Sequence, residues 1–298
     1  MMKLSNKLGI GTVQFGLEYG INNRMGIPSD EEINHILAYY RQSCREPLID
    51  TAVAYGNSHE RLGIAFQKDN NYKNCIVSKF SPRVRTAQEL RDECQTSLQI
   101  LKVEALYGFL AHSAETLITN PSLLEALLEL KKEGYVEKIG VSVYFPAQVD
   151  YFIDKDLPID IIQAPFNVFD QRFAKTIELA KSKGIEVHTR SAFMQGLIFK
   201  PQPFFEGYFA PFLQGKKCLE DLAKTYDIPV QGLALAFCLK QPFIDRVIIG
   251  VDSKHNLEEN IEAIAFFESS GLNETILKRF QELESIPEEI LLPYNWPK

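Results

Sequence analysis

The sequence has no apolar run approaching the roughly 20 residues of a membrane-spanning helix, so a helical membrane protein is not expected. Its opening, MMKLSNKLGI, is too polar for a secretory signal peptide, and a cytoplasmic protein is the expectation. A surplus of positive charge is missing as well. The formal net charge is −7, from 32 Lys and Arg against 39 Asp and Glu. Nucleic acid and anionic membrane surfaces both need a basic face, so neither is the expected partner. Cysteine is scarce and unpatterned. Cys44, Cys75, Cys94, Cys218 and Cys238 are odd in number, scattered, and form no C-x-x-C. That argues against a disulfide frame or a zinc site and for reduced, structural thiols. No metal is expected. No G-x-G-x-x-G follows the first strand, which weakens an open doubly wound dinucleotide fold. No linker or low-complexity segment divides the chain.

What is present is an alternation of short apolar strands with helical periodicity. Strands are expected at Leu8–Phe15, within Leu48–Asp50, and at Asn74–Lys79, Ala105–His112, Lys138–Val143, Ile159–Val168, Ile185–Ser191 and Arg246–Val251. Helices are expected to start at Ser29 or Asp30, beyond Asn57, around Ala87–Leu101, and after an Asn120 cap with Pro121 in the first turn. Others are expected from about Gln171 to Lys183, near Lys216–Tyr226 and Val230–Lys240, from Lys254 to Phe267, and near Asn273–Leu283. Ala192–Gly215, rich in Phe and Pro, reads as a long ordered loop. This order of elements in 298 residues fits a single-domain (β/α)8 TIM barrel spanning 1–298, with extra C-terminal helices.

Consecutive strands end alike: LI runs into Asp50, IVS into Lys79 and FLA into His112. In a barrel these ends surround one mouth, and Tyr55 hangs over it from the loop after the second strand. Any one of them alone has an ordinary structural role open to it; together they form a site. A phenol titrates near 10, too high for easy proton transfer. A neighbouring ammonium is expected to lower that value, and an acid beside the lysine to keep it charged. Such a phenol can protonate a developing alkoxide, and a neutral imidazole can hold the carbonyl oxygen in place. The hydride must then come from a cofactor.

The chain resembles the aldo-keto reductases along nearly its whole length. The resemblance is carried by GTVQFG at Gly11–Gly16, DTAVAYGNSHERLG at Asp50–Gly63, SKF at Ser78–Phe80, FLAHS at Phe109–Ser113, and EKIGVS at Glu137–Ser142. QAPFNVFDQR at Gln163–Arg172, RSAFMQGL at Arg190–Leu197 and EENIEAI at Glu258–Ile264 extend it. It implies Tyr55 as proton donor, Lys79 and Asp50 as the residues that tune it, and His112 as the residue that orients the substrate. It also implies a nicotinamide cofactor extended across the barrel mouth. Gly11 and Thr12 would approach its nicotinamide end, and Ser142 and Gln163 would hold the carboxamide. Arg190, Ser191, Gln195, Gly196 and Leu197 would line the ring and pyrophosphate. Gly250, Ser253, Lys254, Asn256, Glu259 and Asn260 would surround the adenosine half. Three positions depart from the family pattern. Val143 stands where Asn is frequent, Arg190 where many members carry an aromatic, and Asn256 where many NADPH-preferring members are basic. Lys254 is the nearby permanent cation, and the expectation leans to NADP(H), with NAD(H) as the alternative.

The leading functional expectation is reduction of an aldehyde, a ketone or a sugar to the alcohol, or the reverse. The substrate pocket is expected to draw on Leu17–Met25, on Tyr144 and Phe145, and on the aromatic segment Phe204–Phe212. A redox-sensing protein that binds the cofactor with little turnover is the alternative. A Schiff-base lyase with Lys79 as nucleophile is a third reading, disfavoured because Asp50 should raise the lysine pKa. The sequence does not set an oligomeric state.

Overall fold

Strands that read as continuous apolar runs must be covered on both faces, and a ring of parallel strands enclosed by helices does this. The computed structural model describes residues 3–23, 25–68, 72, 75–270, 279–280 and 286–297. Its strands are β1 (Leu8–Gly11), β2 (Ile49–Asp50), β3 (Ile76–Phe80), β4 (Leu106–Ala111), β5 (Val136–Ser142), β6 (Ile161–Pro165), β7 (Glu186–Arg190) and β8 (Arg246–Gly250). Each pairs in parallel with the next, and β8 returns to β1, with Gly11 opposite Gly250. The result is a closed eight-stranded barrel in one domain. A separate apolar cluster of Leu48, Val77, Leu110, Ile161 and Ile248 lies apart from the larger core formed with the helices.

Local signals start several of the helices. Ser29 Oγ accepts from Glu32 N at 3.1 Å and opens the helix Asp30–Ser43. Thr86 and Glu89 form a reciprocal capping box at the head of Ala87–Leu101, the span expected from the sequence. A cap of this kind contributes about 1 kcal/mol.

Elsewhere the structure corrects the expectation. The first strand stops at Gly11, because Phe15 N bonds back to Thr12 O at 3.0 Å and Val13–Gly16 forms a single helical turn. Asn120 ends a short helix, Ala114–Thr119, instead of capping the next, which runs over Ser122–Lys132. The helix Pro146–Asp154, with Val149, Phe152 and Ile153 buried, was not anticipated. The segment after β7 is not a plain loop. It folds into short turns at Met194–Phe199, Gln202–Phe204 and Gly207–Phe209, and the following helix already starts at Phe212. Phe212 stacks on Phe205 and meets Phe169 at a centroid distance of 4.6 Å, while Phe209 meets the ring of Trp296. These rings bury apolar area, so Phe204–Phe212 packs the structure and does not line the cleft described below. The helix expected near Asn273–Leu283 falls, apart from 279–280, outside the described residues.

All five cysteines are free, and burial pushes the thiols of Cys44, Cys75 and Cys94 up to about 12, so they stay protonated. Among the described residues no helix is long and apolar enough to cross a membrane. No group of three or more His, Cys, Asp or Glu among them is placed to hold a metal ion.

Candidate active site

The loop after β2 is fixed by close backbone packing. A side chain on Gly16 would put its Cβ 2.0 Å from the carbonyl oxygen of Tyr55, and one on Gly56 would lie 2.3 Å from that of Gly16. Gly56 also takes φ +56°, a backbone region that L side chains rarely adopt. The turn Val13–Gly16 is thus pressed directly against the segment that carries Tyr55. Arg61, on the helix Ser58–Lys68, ties the same region together. It donates to Phe15 O and Asp30 Oδ1, each at 2.7 Å, and to Pro28 O. Thr12 Oγ1 donates to Asp50 O at 3.1 Å and accepts from Ser58 Oγ at 2.8 Å, locking the end of β1 to the end of β2.

On this frame Asp50, Lys79, Tyr55 and His112 meet. Asp50 and Lys79 are 3% and 1% exposed, so their charges face little water. Lys79 Nζ donates to Asp50 Oδ2 at 2.6 Å and to Thr51 O at 3.1 Å, and it lies 3.4 Å from Tyr55 Oη. Gln163 Nε2 donates to Asp50 Oδ1 at 2.7 Å, so both carboxylate oxygens are held. The His112 ring meets the Tyr55 ring edge-on, with centroids 5.6 Å apart.

The fields in the site differ from the expectation in two respects. The Tyr55 phenol is pushed above its ordinary value, first by burial and then by the Asp50 charge, with Arg190 opposing. The Lys79 ammonium, 3.4 Å from the phenol oxygen, does not reverse this, because it lies closer to Asp50, at 2.6 Å. Burial also draws Lys79 below the ordinary lysine value, with Asp50 opposing through charge and hydrogen bond. The electrostatic argument against a nucleophilic lysine therefore weakens, but a geometric one replaces it. An ammonium has three N–H donors, and three oxygens (Asp50, Thr51 and Tyr55) surround Nζ, leaving no lone pair aimed at a carbonyl. His112 is lowered to about 4 by burial, then by Lys79, so it is a neutral imidazole near pH 7.

A cleft of about 1060 Å³, open mouth included, runs from Asp50 and Tyr55 past Gln163 and Arg190 to the end of β8. Of the residues expected to hold a cofactor, Gly11, Gln163, Arg190, Ser191, Gln195, Gly196, Gly250 and Asn256 line it. Arg190 is held in place, its guanidinium 4.4 Å from the Tyr144 ring centroid and donating to Val143 O at 3.0 Å. Ser191 and Gln195 take left-handed backbone angles, φ +67° and +52°, in the strap that follows β7.

The other expected residues are not on the cleft wall. Thr12 is buried in the strand-end lock, and Ser142 is buried beside Gln163 in the sheet register. Leu197 is fully buried. Ser253 caps the helix Lys254–Ser269, accepting from Asn256 N at 3.1 Å. Lys254 pairs with Glu258 at 2.8 Å, and Glu259 lies 3.4 Å from His255. Asn260 is 3% exposed, and its Nδ2 has no hydrogen-bond partner among the described residues. Tyr144 underlies Arg190, and Phe145 heads the helix Pro146–Asp154. Tyr19, Gly20, Asn22 and Asn23, from the Leu17–Met25 loop expected to contribute to the pocket, also line the cleft, as do Gln14 and Asp252, which lie outside the expected contacts. Asp252 had a signal available, since it lies just beyond a strand end at the barrel mouth.

Comparison with known proteins finds relatives along nearly the whole chain. The sequence model of the Aldo/keto reductase family matches residues 7–275. The aldo-keto reductase YhdN of Bacillus subtilis (strain 168) is 27% identical over 285 residues, covering 85% of this chain and 83% of that one. The NADH-specific methylglyoxal reductase of Escherichia coli (strain K12) is 23% identical, covering 87% of this chain and 90% of that one. The solved holo form of aldo-keto reductase AKR11C1 from Bacillus halodurans superposes with a TM-score of 0.76 at 22% identity, over 94% of this chain and 92% of that one, a likeness of fold.

Proposed function

The chain belongs to the Aldo/keto reductase family, and from that premise we propose that it is a cytoplasmic NAD(P)H-dependent oxidoreductase reducing an aldehyde, ketone or sugar carbonyl to the alcohol, or catalysing the reverse. The observation that carries this reading is the buried chain Gln163–Asp50–Lys79–Tyr55 at the inner end of a long cleft, with a neutral imidazole edge-on to the phenol.

The residues present fit a dinucleotide. Gly250 and Gly196 line the cleft as bare backbone, with Gln14 Oε1 and Asn22 packed so closely that a Cβ would lie 2.5 and 2.6 Å from them. The unpartnered Nδ2 of Asn260, one turn from Asn256, is a donor awaiting an acceptor. Gln163 would serve the carboxamide, Arg190, Ser191, Gln195 and Gly196 the ring and pyrophosphate, and Gly250 and Asn256 the adenosine half. Bound there, a nicotinamide supplies or accepts the hydride.

The protein's own groups supply the rest. His112, neutral, donates a hydrogen bond to the substrate oxygen and positions it beside the Tyr55 hydroxyl. Because burial keeps the phenol protonated, Tyr55 is a loaded donor when negative charge builds on that oxygen. Proton transfer leaves a phenolate 3.4 Å from the Lys79 ammonium, which stabilises it. Asp50 compensates the Lys79 charge in the dry interior, and Gln163 fixes the orientation of Asp50.

The test is a fluorescence titration with reduced nicotinamide dinucleotides, followed by a panel of aldehydes, ketones and sugars with cofactor oxidation read by absorbance. The expected result is saturable binding and carbonyl-dependent oxidation with at least one class. Tight binding with no turnover across the panel would overturn the reductase reading.

A further inference from the structure

The cleft carries an acid where it reaches the end of β8. Asp252, just after β8, lines it together with Gly250 and Asn256. The next element, the helix Lys254–Ser269, would offer an anion its first N–H groups and a lysine. Both are taken. Lys254 N donates to Glu32 Oε1 at 2.6 Å, so a carboxylate from a distant helix already sits at this terminus. Lys254 Nζ is bound by Glu258 Oε1 at 2.8 Å and lies 5.5 Å from the Tyr39 ring centroid. The neighbouring His255 lies against Glu259. Among the described residues here, the one permanent cation is neutralised and Asp252 faces the cleft.

This inference rests on the reductase reading, which requires the nicotinamide end of a cofactor to reach Tyr55. A dinucleotide extended along the cleft then brings its adenosine ribose to Asp252. A ribose with free hydroxyls offers donors to a carboxylate, as acids do in other dinucleotide sites. A 2′-phosphate brings about −1.5 to −2 charges to a place where, among the described residues, Lys254 is already paired with Glu258. We propose that Asp252 is a specificity-determining residue that accepts from the adenosine ribose, and that this end of the cleft selects NAD(H) over NADP(H). Glu32 and Glu258 reinforce the choice by occupying the N–H and the ammonium of Lys254. The sequence-based lean to NADP(H) rested on that same lysine, whose pairing only the fold reveals.

The test measures dissociation constants of the full-length protein for NADH and NADPH by calorimetry, in wild type, Asp252→Asn, Asp252→Arg and Glu258→Gln. Like charges set against each other at a binding site favour NADH by about tenfold or more in wild type. Asp252→Asn is expected to narrow that ratio and Asp252→Arg to reverse it. Glu258→Gln, a near-isosteric substitution at a half-buried position that frees Lys254, is expected to tighten NADPH several-fold with NADH little changed. NADPH binding as tightly as NADH in wild type, or a ratio unmoved by Asp252→Asn, would overturn the proposal while leaving the reductase reading intact. Binding of neither cofactor would overturn both.

Discussion

Tyr55→Phe is expected to lower kcat for carbonyl reduction by about 10²- to 10⁴-fold, while the dissociation constant for the reduced cofactor changes little. The substitution removes one oxygen and keeps the ring. The edge-on contact with His112 at 5.6 Å and the backbone packing of the loop against Gly16 both survive it. What disappears is the proton, which matters only as charge develops on the substrate oxygen. The loss should therefore fall equally on kcat and kcat/KM. The position of Tyr55 in the site's field strengthens the expectation. Burial and the nearby Asp50 charge hold the phenol in its protonated form, so the wild-type enzyme carries the donor fully loaded near neutrality. Among the described residues, the other hydrogen-bond partners of Lys79 Nζ are Asp50 Oδ2 and Thr51 O, and neither is a hydroxyl. Steady-state kinetics with a working carbonyl, paired with cofactor titration of both proteins, checks the claim. A variant retaining more than about a tenth of wild-type kcat would remove Tyr55 from the role of general acid.

The second large effect is on stability. Asp50→Asn is expected to destabilise the protein by about 3–5 kcal/mol. Lys79 is 1% exposed, and its shortest contact, at 2.6 Å, is to the carboxylate that this substitution neutralises. The remaining oxygens at Thr51 and Tyr55 carry no full charge, so the ammonium would be left buried without compensation or would have to give up its proton. The double variant Asp50→Asn/Lys79→Met removes both charges and should recover much of the loss, because the cost lies in the orphaned charge. Denaturant unfolding of wild type, the single and the double variant measures this directly. A single variant within about 1 kcal/mol of wild type would show that the pair is far better solvated than its burial implies. Activity should fall in both variants, since the phenolate left by proton transfer loses an anchored cation.

The barrel was legible because its strands are both apolar and interrupted by chemistry at one end. Asp50, Lys79 and His112 each break an apolar run where a strand meets the mouth, and a closed parallel barrel brings such ends together. Tyr55 followed from its loop, although only the structure shows why that loop is rigid: Gly16 and Gly56 let two backbone segments touch. Other features depend on what lies across space. The direction in which the Tyr55 phenol shifts is set by burial and by the Lys79–Asp50 geometry, and neither is written in residue order. The partner of Lys254 N is Glu32, 222 positions away in the chain. The fate of the Phe-rich segment was likewise hidden, because aromatic residues suit a substrate pocket and a core equally well. Here Phe205, Phe209 and Phe212 pack on Phe169 and Trp296. The helix Pro146–Asp154 had signals, with Pro146 in its first turn and Val149, Phe152 and Ile153 at helical spacing, but it is only 9 residues long.

The central claim is that a hydride passes directly from a bound nicotinamide to a carbonyl carbon while Tyr55 supplies the proton. The most direct measurement runs the reaction with each of the two diastereomers of NADH deuterated at the nicotinamide C4, in ordinary water, and analyses the alcohol by mass spectrometry. The predicted result is that one diastereomer delivers its deuterium to the carbinol carbon and the other delivers none, with the label undiluted by solvent. An alcohol formed without label from either diastereomer, or with label lost to water, would contradict the account.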